Sequence, residues 1–187
     1  MRKPFGCRTL LLSFAVLCFA FGQAYAQCKP PANQHPVLSP AAETSVLLNG
    51  KSITIYYCAP SLRGRTVGDQ IAPYDKVWRT GANTATTMVT QASLRIGELV
   101  VPAGTYTLYS IPAKSGWTLI VNKQTGQWGT VYNSGQDLGR VKMMDGVMPS
   151  APVEKFTISF DHTRGKRTQL HLMWGLADVY VPVEATD

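Results

Sequence analysis

Acidic residues, histidines and helical periodicity are all scarce in this chain. Of 187 residues only 11 are Asp or Glu and three are His, which leaves little material for acid–base or metal chemistry. The nucleophile-elbow pattern Gly-x-Ser-x-Gly is absent, and so is His-Glu-x-x-His, which excludes those two catalytic signatures. His35, His162 and His171 show no metal-ligand spacing, so neither a metal nor a cofactor is expected. His171 alternates with Leu170, Leu172 and Trp174 in a strand-like run, and is therefore predicted to point to solvent. Glycosidase chemistry wants two carboxylates across a cleft, and the sequence places no such pair. No window carries the apolar repeat of a long amphipathic helix, and no internal repeat is visible. Beyond the first thirty residues, no apolar run approaches the roughly 20 residues of a membrane-spanning helix.

What is present begins with the compartment. Arg2, Lys3 and Arg8 precede an apolar run from Thr9 to Gly22, and Ala24-Tyr25-Ala26 supplies a small-x-small cleavage site. Residues 1–26 thus read as a cleaved signal peptide, with the mature chain starting at Gln27 in a periplasmic or extracellular space. Removing 26 of 187 residues leaves 161, enough for one well-buried domain. Three of the 18 basic residues leave with the signal, so 15 cations against 11 anions give +4 instead of the +7 of the full chain. The remaining Lys and Arg are scattered apart from Arg63/Arg65 and Arg164 to Arg167. A nucleic-acid partner is not expected of an exported chain with that pattern. Two of the four cysteines also leave. The pair that remains, Cys28 and Cys58, is a candidate disulfide in an oxidising compartment.

Residues 27–44 carry Pro30, Pro31, Pro36 and Pro40 and read as an extended leader holding an exposed His35. A hairpin follows: Ser45 to Leu48 and Ser52 to Tyr56 flank Asn49-Gly50, which tolerates the positive φ of a type I′ turn. Ile53, Ile55 and Tyr57 share one face of its second strand. Ala59 to Lys76 is a long connection broken by proline and glycine, of the kind that is functional or disordered. Short alternating runs then recur up to Val183, separated by Gly and Pro. About nine or ten short strands at near-regular spacing predict an all-β fold over 45–185, a single antiparallel β-sandwich or jelly-roll-like domain, with a closed barrel as the alternative.

Five motifs stand in order: Val77-Trp78-Arg79-Thr80-Gly81-Ala82-Asn83, Val101 to Leu108 with Ile111-Pro112, Trp117 to Lys123, Gln127-Trp128-Gly129, and Arg140-Val141. This set resembles the bacterial domain-of-unknown-function family 2911, whose members are exported proteins, over about Ser39 to Val183. The resemblance implies an all-β domain and carries no established activity. Two departures stand out. Cys58-Ala59-Pro60 replaces a more usual Ser-Arg-Pro, and Trp174-Gly175 replaces an expected Trp-Glu.

The stretch 77–83 puts an aromatic, a guanidinium, a glycine and an amide between two β-rich blocks. It supplies the candidate site. Trp117 and Trp174 are assigned to the core by alternation, whereas Trp78 and Trp128 lie in polar, glycine-bearing segments. One reading makes these two an aromatic platform for a sugar ring or other flat small molecule, aided by Arg79, Asn83 and Lys123. The other makes them plugs at the ends of the sandwich, with Arg79 and Asn83 bonded to loop backbone. Asp69 or Asp75 could orient Arg79 through a bidentate ion pair. The expected function is a non-catalytic ligand-binding or cell-envelope accessory module. The alternative is a periplasmic hydrolase or lyase with Arg79, Asn83, Asp75 and Lys123 converging in a cleft. Whether the chain self-associates is left open.

Overall fold

The computed structural model describes Cys28 and residues 38–187. The expected signal peptide over 1–26, most of the expected leader over 27–44 and His35 lie outside the described residues. Fourteen strands form in chain order: β1 (Ala41–Leu48), β2 (Lys51–Cys58), β3 (Val67–Gly68), β4 (Ile71–Pro73), β5 (Thr86–Thr90), β6 (Leu94–Ile96), β7 (Leu99–Val101), β8 (Gly104–Ile111), β9 (Thr118–Asn122), β10 (Asp137–Lys142), β11 (Met144–Asp145), β12 (Val153–Arg164), β13 (Arg167–Gly175) and β14 (Ala177–Ala185). One sheet runs β1-β2-β5-β8-β9-β10. The other runs β12-β13-β14-β6-β7, with β11 added on β14, and β3 and β4 form a short pair. Every pairing within the two large sheets is antiparallel. The arrangement is the expected β-sandwich.

Alternation explains the layering. Ile53, Ile55 and Tyr57 on β2, Met88 on β5 and Leu108 on β8 turn inward from the first sheet. Phe156, Ile158, Leu170, Leu172, Val179 and Val181 meet them from the second, and both sets belong to one buried cluster. Burying a Leu, Ile or Phe side chain contributes about 1.5–3 kcal/mol, so these paired faces supply most of the driving force for folding. Asn49 and Gly50 take the positive φ values of 49° and 76° that the hairpin turn demands.

The first strand starts earlier than expected. Ala41 to Thr44, assigned to the leader, pair with Cys58 to Ile55. Strand β2 extends past Tyr56 and offers them a full set of backbone partners, which outweighs their weak strand propensity. The two-residue strands β3 and β11 also escaped notice, because two residues show no period.

Two chain crossings position the site. After Cys58 the backbone leaves the first sheet and pairs with the second, through Phe156 N to Pro60 O at 2.8 Å and Leu62 N to Glu154 O at 2.8 Å. After Lys142 it crosses again: Met143 N donates to Trp117 O at 2.7 Å, and Met144 then pairs with Tyr180. Both crossings contribute wall to the same cavity.

Candidate functional site

The stretch 77–83 continues the line of β5 beside the end of β8. Trp78 N donates to Ser110 O at 2.7 Å and Ser110 N donates back to Trp78 O at 2.8 Å. This pairing turns Trp78 inward, against the aromatic core. Its ring stacks on Trp174 at 5.3 Å and 16°, and meets Phe156 and Trp117 edge-on at 4.9 and 6.1 Å. Trp78 is therefore part of a four-ring cluster with Trp174, Phe156 and Trp117. Thr80 is wholly buried with φ 53°, a conformation that costs a β-branched residue about 1–3 kcal/mol. Its hydroxyl donates to Ser110 Oγ at 3.0 Å, and its carbonyl accepts Thr86 Oγ1 at 2.7 Å; these bonds hold the strained turn in place.

Arg79, one residue on, faces the other way. A Cβ on Gly129 would lie 2.1 Å from Arg79 Cδ and 2.6 Å from Asn83 O, so the arginine stem crosses directly over that glycine. The guanidinium is half-buried, and desolvation pulls its pKa below the usual arginine value. Its Nε is buried without a hydrogen-bond partner. The ion pair that Asp69 or Asp75 could make with Arg79 does not form. Asp75 sits on the exposed connection, with its backbone N bonded to Pro112 O at 2.9 Å, and Asp69 is likewise exposed. Asn83 accepts Gly129 N on its backbone oxygen at 3.0 Å. Trp128 pairs with Thr84 in an isolated bridge and leaves its indole 53% exposed. Lys123 is exposed and, among the described residues, bonded only through its backbone, to Gln136 O at 2.8 Å. Thus Arg79, Asn83 and Trp128 gather around the segment 127–129. Asp75 and Lys123 form no hydrogen bond or ion pair with them.

A cavity of about 720 Å³ opens elsewhere, at the end of the sandwich where the two crossings pass. Trp117 and Trp174, each only 2% exposed, border it from within the core, together with Leu62, Val67, Tyr74 and Val179. Tyr74 reaches the wall because Gly68, at φ 91°, leaves room; a Cβ there would lie 2.1 Å from the tyrosine ring. Exposed Met148 and Leu176 stand at its rim. The charged groups around it are Arg65, Lys114, Asp145, Glu154 and Asp178. Asp145 is fixed by Gly116 N at 2.7 Å and Ser115 Oγ at 3.0 Å, and so ties the 115–116 turn to β11. The volume falls within the roughly 300–1,000 Å³ of small-molecule sites, and the walls have the usual mix of aromatic surface and a few polar groups. Trp78 backs this cavity, since it stacks on Trp174.

Asp178 also faces a second concavity of about 560 Å³ on the outer side of the second sheet, with His162, His171 and Tyr180. His171 is 8% exposed, not solvent-facing. Its Nδ1 lies 2.8 Å from Asp178 Oδ1, its Nε2 lies 3.2 Å from Gln169 Oε1, and its ring stacks on Tyr180 at 5.1 Å. Alternation placed it on the outer face as expected. Gln169 on its own strand and Asp178 and Tyr180 on β14 cover it there, and alternation within β13 carries no information about the residues of β14. No described group of three His, Cys, Asp or Glu could hold a metal ion.

Cys28 and Cys58 form a disulfide with Cα atoms 5.6 Å apart, packed against Ala82. The bond ties Cys28 to the end of β2, beside the stretch 77–83, where Ala82 N donates to Cys58 O at 3.0 Å. No described helix is long and apolar enough to cross a membrane.

Sequence reasoning did not assemble the end cavity. Arg65 was visible as part of a basic pair, and residues 59–76 as a long connection, but Lys114, Asp145 and Asp178 carry no local signal.

Residues 39–183 match the family described as protein of unknown function (DUF2911), and the chain belongs to that family. No curated protein and no solved structure matches it.

Proposed function

We propose that this DUF2911 member is an exported, non-catalytic binding module whose small-molecule ligand occupies the cavity at the end of the sandwich. The observation that carries the reading is the cavity itself: about 720 Å³, walled by Trp117, Trp174 and Tyr74. The disulfide between Cys28 and Cys58 supports an oxidising compartment. A signal peptide supports the same compartment from the sequence. The two wall tryptophans are held by Trp78 and Phe156 from behind, so a ligand would meet a surface already ordered, and binding would cost little side-chain entropy. A thermal-shift screen of aromatic acids, sugars and lipids tests the reading. Binding should raise the melting temperature, and Ala177→Trp, which puts an indole on a residue lining the cavity, should abolish the rise. A rise that persists in Ala177→Trp places the ligand elsewhere and overturns the assignment.

The rival reading is a hydrolase or lyase working around Arg79 and Asn83. Its support is the half-buried guanidinium with no carboxylate partner among the described residues. Turnover of a periplasmic substrate panel that disappears in a folded Arg79→Ala protein would favour it.

A further inference from the structure

The binding reading leaves the ligand's chemistry open, and the hydrogen bonds around the cavity narrow it. Three carboxylates and two cations border the space, so a simple charge count favours a cationic guest. The carboxylates, however, are already engaged. Asp145 accepts Gly116 N on Oδ1 at 2.7 Å and Ser115 Oγ on Oδ2 at 3.0 Å. Asp178 borders both concavities, and its Oδ1 lies 2.8 Å from His171 Nδ1. Glu154 accepts Arg63 N at 2.9 Å. A charge that already accepts hydrogen bonds from the fold has less to gain from a guest.

The cations stand differently. Arg65 donates Nε to Leu62 O at 2.9 Å and one Nη to Ser61 O at 2.9 Å. Both acceptors are neutral carbonyls. They fix the planar guanidinium in position, and the other Nη has no partner among the described residues. Lys114, which lines the same cavity, forms no hydrogen bond or ion pair among the described residues. A pinned guanidinium with a spare donor and a free ammonium bordering one cavity are each suited to an oxyanion. The apolar residues of the cavity suit a hydrophobic body, and the exposed Met148 and Leu176 at the rim can adapt to its shape.

We propose that the cavity takes an amphipathic anion: an apolar, ring-sized body against Trp117 and Trp174, with a carboxylate, sulfonate or phosphate held by Arg65 and Lys114. This rests on the binding reading above and adds the charge of the guest.

The test is isothermal titration of the intact mature protein with three probes of one shape at low salt: 2-naphthoate, neutral 2-naphthalenemethanol and cationic 2-naphthylmethylamine. The expected order is naphthoate tighter than the alcohol by about tenfold, with the amine weakest; each tenfold step corresponds to about 1.4 kcal/mol. Arg65→Gln and Lys114→Gln should each lower naphthoate affinity several-fold and leave the alcohol unchanged. Both positions are exposed, so the substituted proteins should fold, and circular dichroism confirms it. Equal binding of naphthoate and alcohol, or tightest binding of the amine, overturns the anionic guest while leaving a binding cavity in place. Failure of all three probes contradicts the anion and the binding reading together.

Discussion

Trp78 lies nearly parallel to Trp174, with ring centroids 5.3 Å apart and planes 16° apart. This contact links the most conspicuous motif of the sequence to the cavity that the sequence did not reveal. It also separates the roles within residues 77–83: Trp78 supports the cavity wall from inside, and Arg79 lies against Gly129. Trp78→Ala should therefore destabilise the fold by about 3–5 kcal/mol and loosen the cavity wall together with it. Chemical denaturation measures the first effect, and loss of ligand-induced stabilisation measures the second. A well-folded Trp78→Ala protein with unchanged stability would contradict the four-ring cluster.

Arg79 and Gly129 give a paired prediction. Arg79→Met keeps the stem over Gly129 and removes a half-buried, uncompensated charge, so stability should be unchanged or higher by up to about 1 kcal/mol. Gly129→Ala places a Cβ 2.1 Å from Arg79 Cδ and 2.6 Å from a backbone oxygen, and should cost about 1–3 kcal/mol. Urea midpoints of the two variants check both signs.

The disulfide offers a third. Its sequence separation of 30 corresponds to about 3–4 kcal/mol in the chain-entropy treatment of cross-links. Cys28→Ser should lower the unfolding free energy by about that amount, and the native chain should take up thiol label only after reduction. Labelling of the unreduced protein would contradict the bond.

Alkaline pH supplies a fourth. Burial pushes the Tyr57 phenol above its ordinary pKa of 10.0, more strongly than its bond with Ile158 N, 3.2 Å away, pulls it down. A phenol whose folded pKa is raised favours the neutral form in the fold. Its contribution is therefore complete below pH 10.0 and is lost as pH rises through the folded value. Stability should fall above that pH, and Tyr57→Phe should flatten the fall. Its cost at neutral pH should be about 1 kcal/mol for the lost hydrogen bond. Thermal melts between pH 7 and about 11 report the slope.

Much of the fold was legible because strands and turns are local. Alternation in Lys51–Cys58 placed Ile53, Ile55 and Tyr57 inside, Asn49-Gly50 marked the hairpin, and the Cys28–Cys58 pair followed from compartment. Illegible parts depend on the partner of a residue, which alternation does not encode. Trp78 sits in a polar stretch yet faces the core because Ser110 pairs with it. His171 takes the outer face as alternation requires, yet is covered there by Asp178 and Tyr180. The cavity exists only where two crossings, some eighty residues apart in the chain, meet at one end of the sandwich.

The central claim is that the ligand meets Trp117 and Trp174 instead of Trp128. The four tryptophan indole N–H groups give separate signals in a ¹⁵N-labelled protein, and titration with 2-naphthoate reads them together. The account predicts that the Trp117 and Trp174 signals move in step with binding, that Trp78 follows weakly through its stack, and that Trp128 stays in place. Movement of Trp128 and of the Arg79 Nε–H, with Trp117 and Trp174 unchanged, would contradict it.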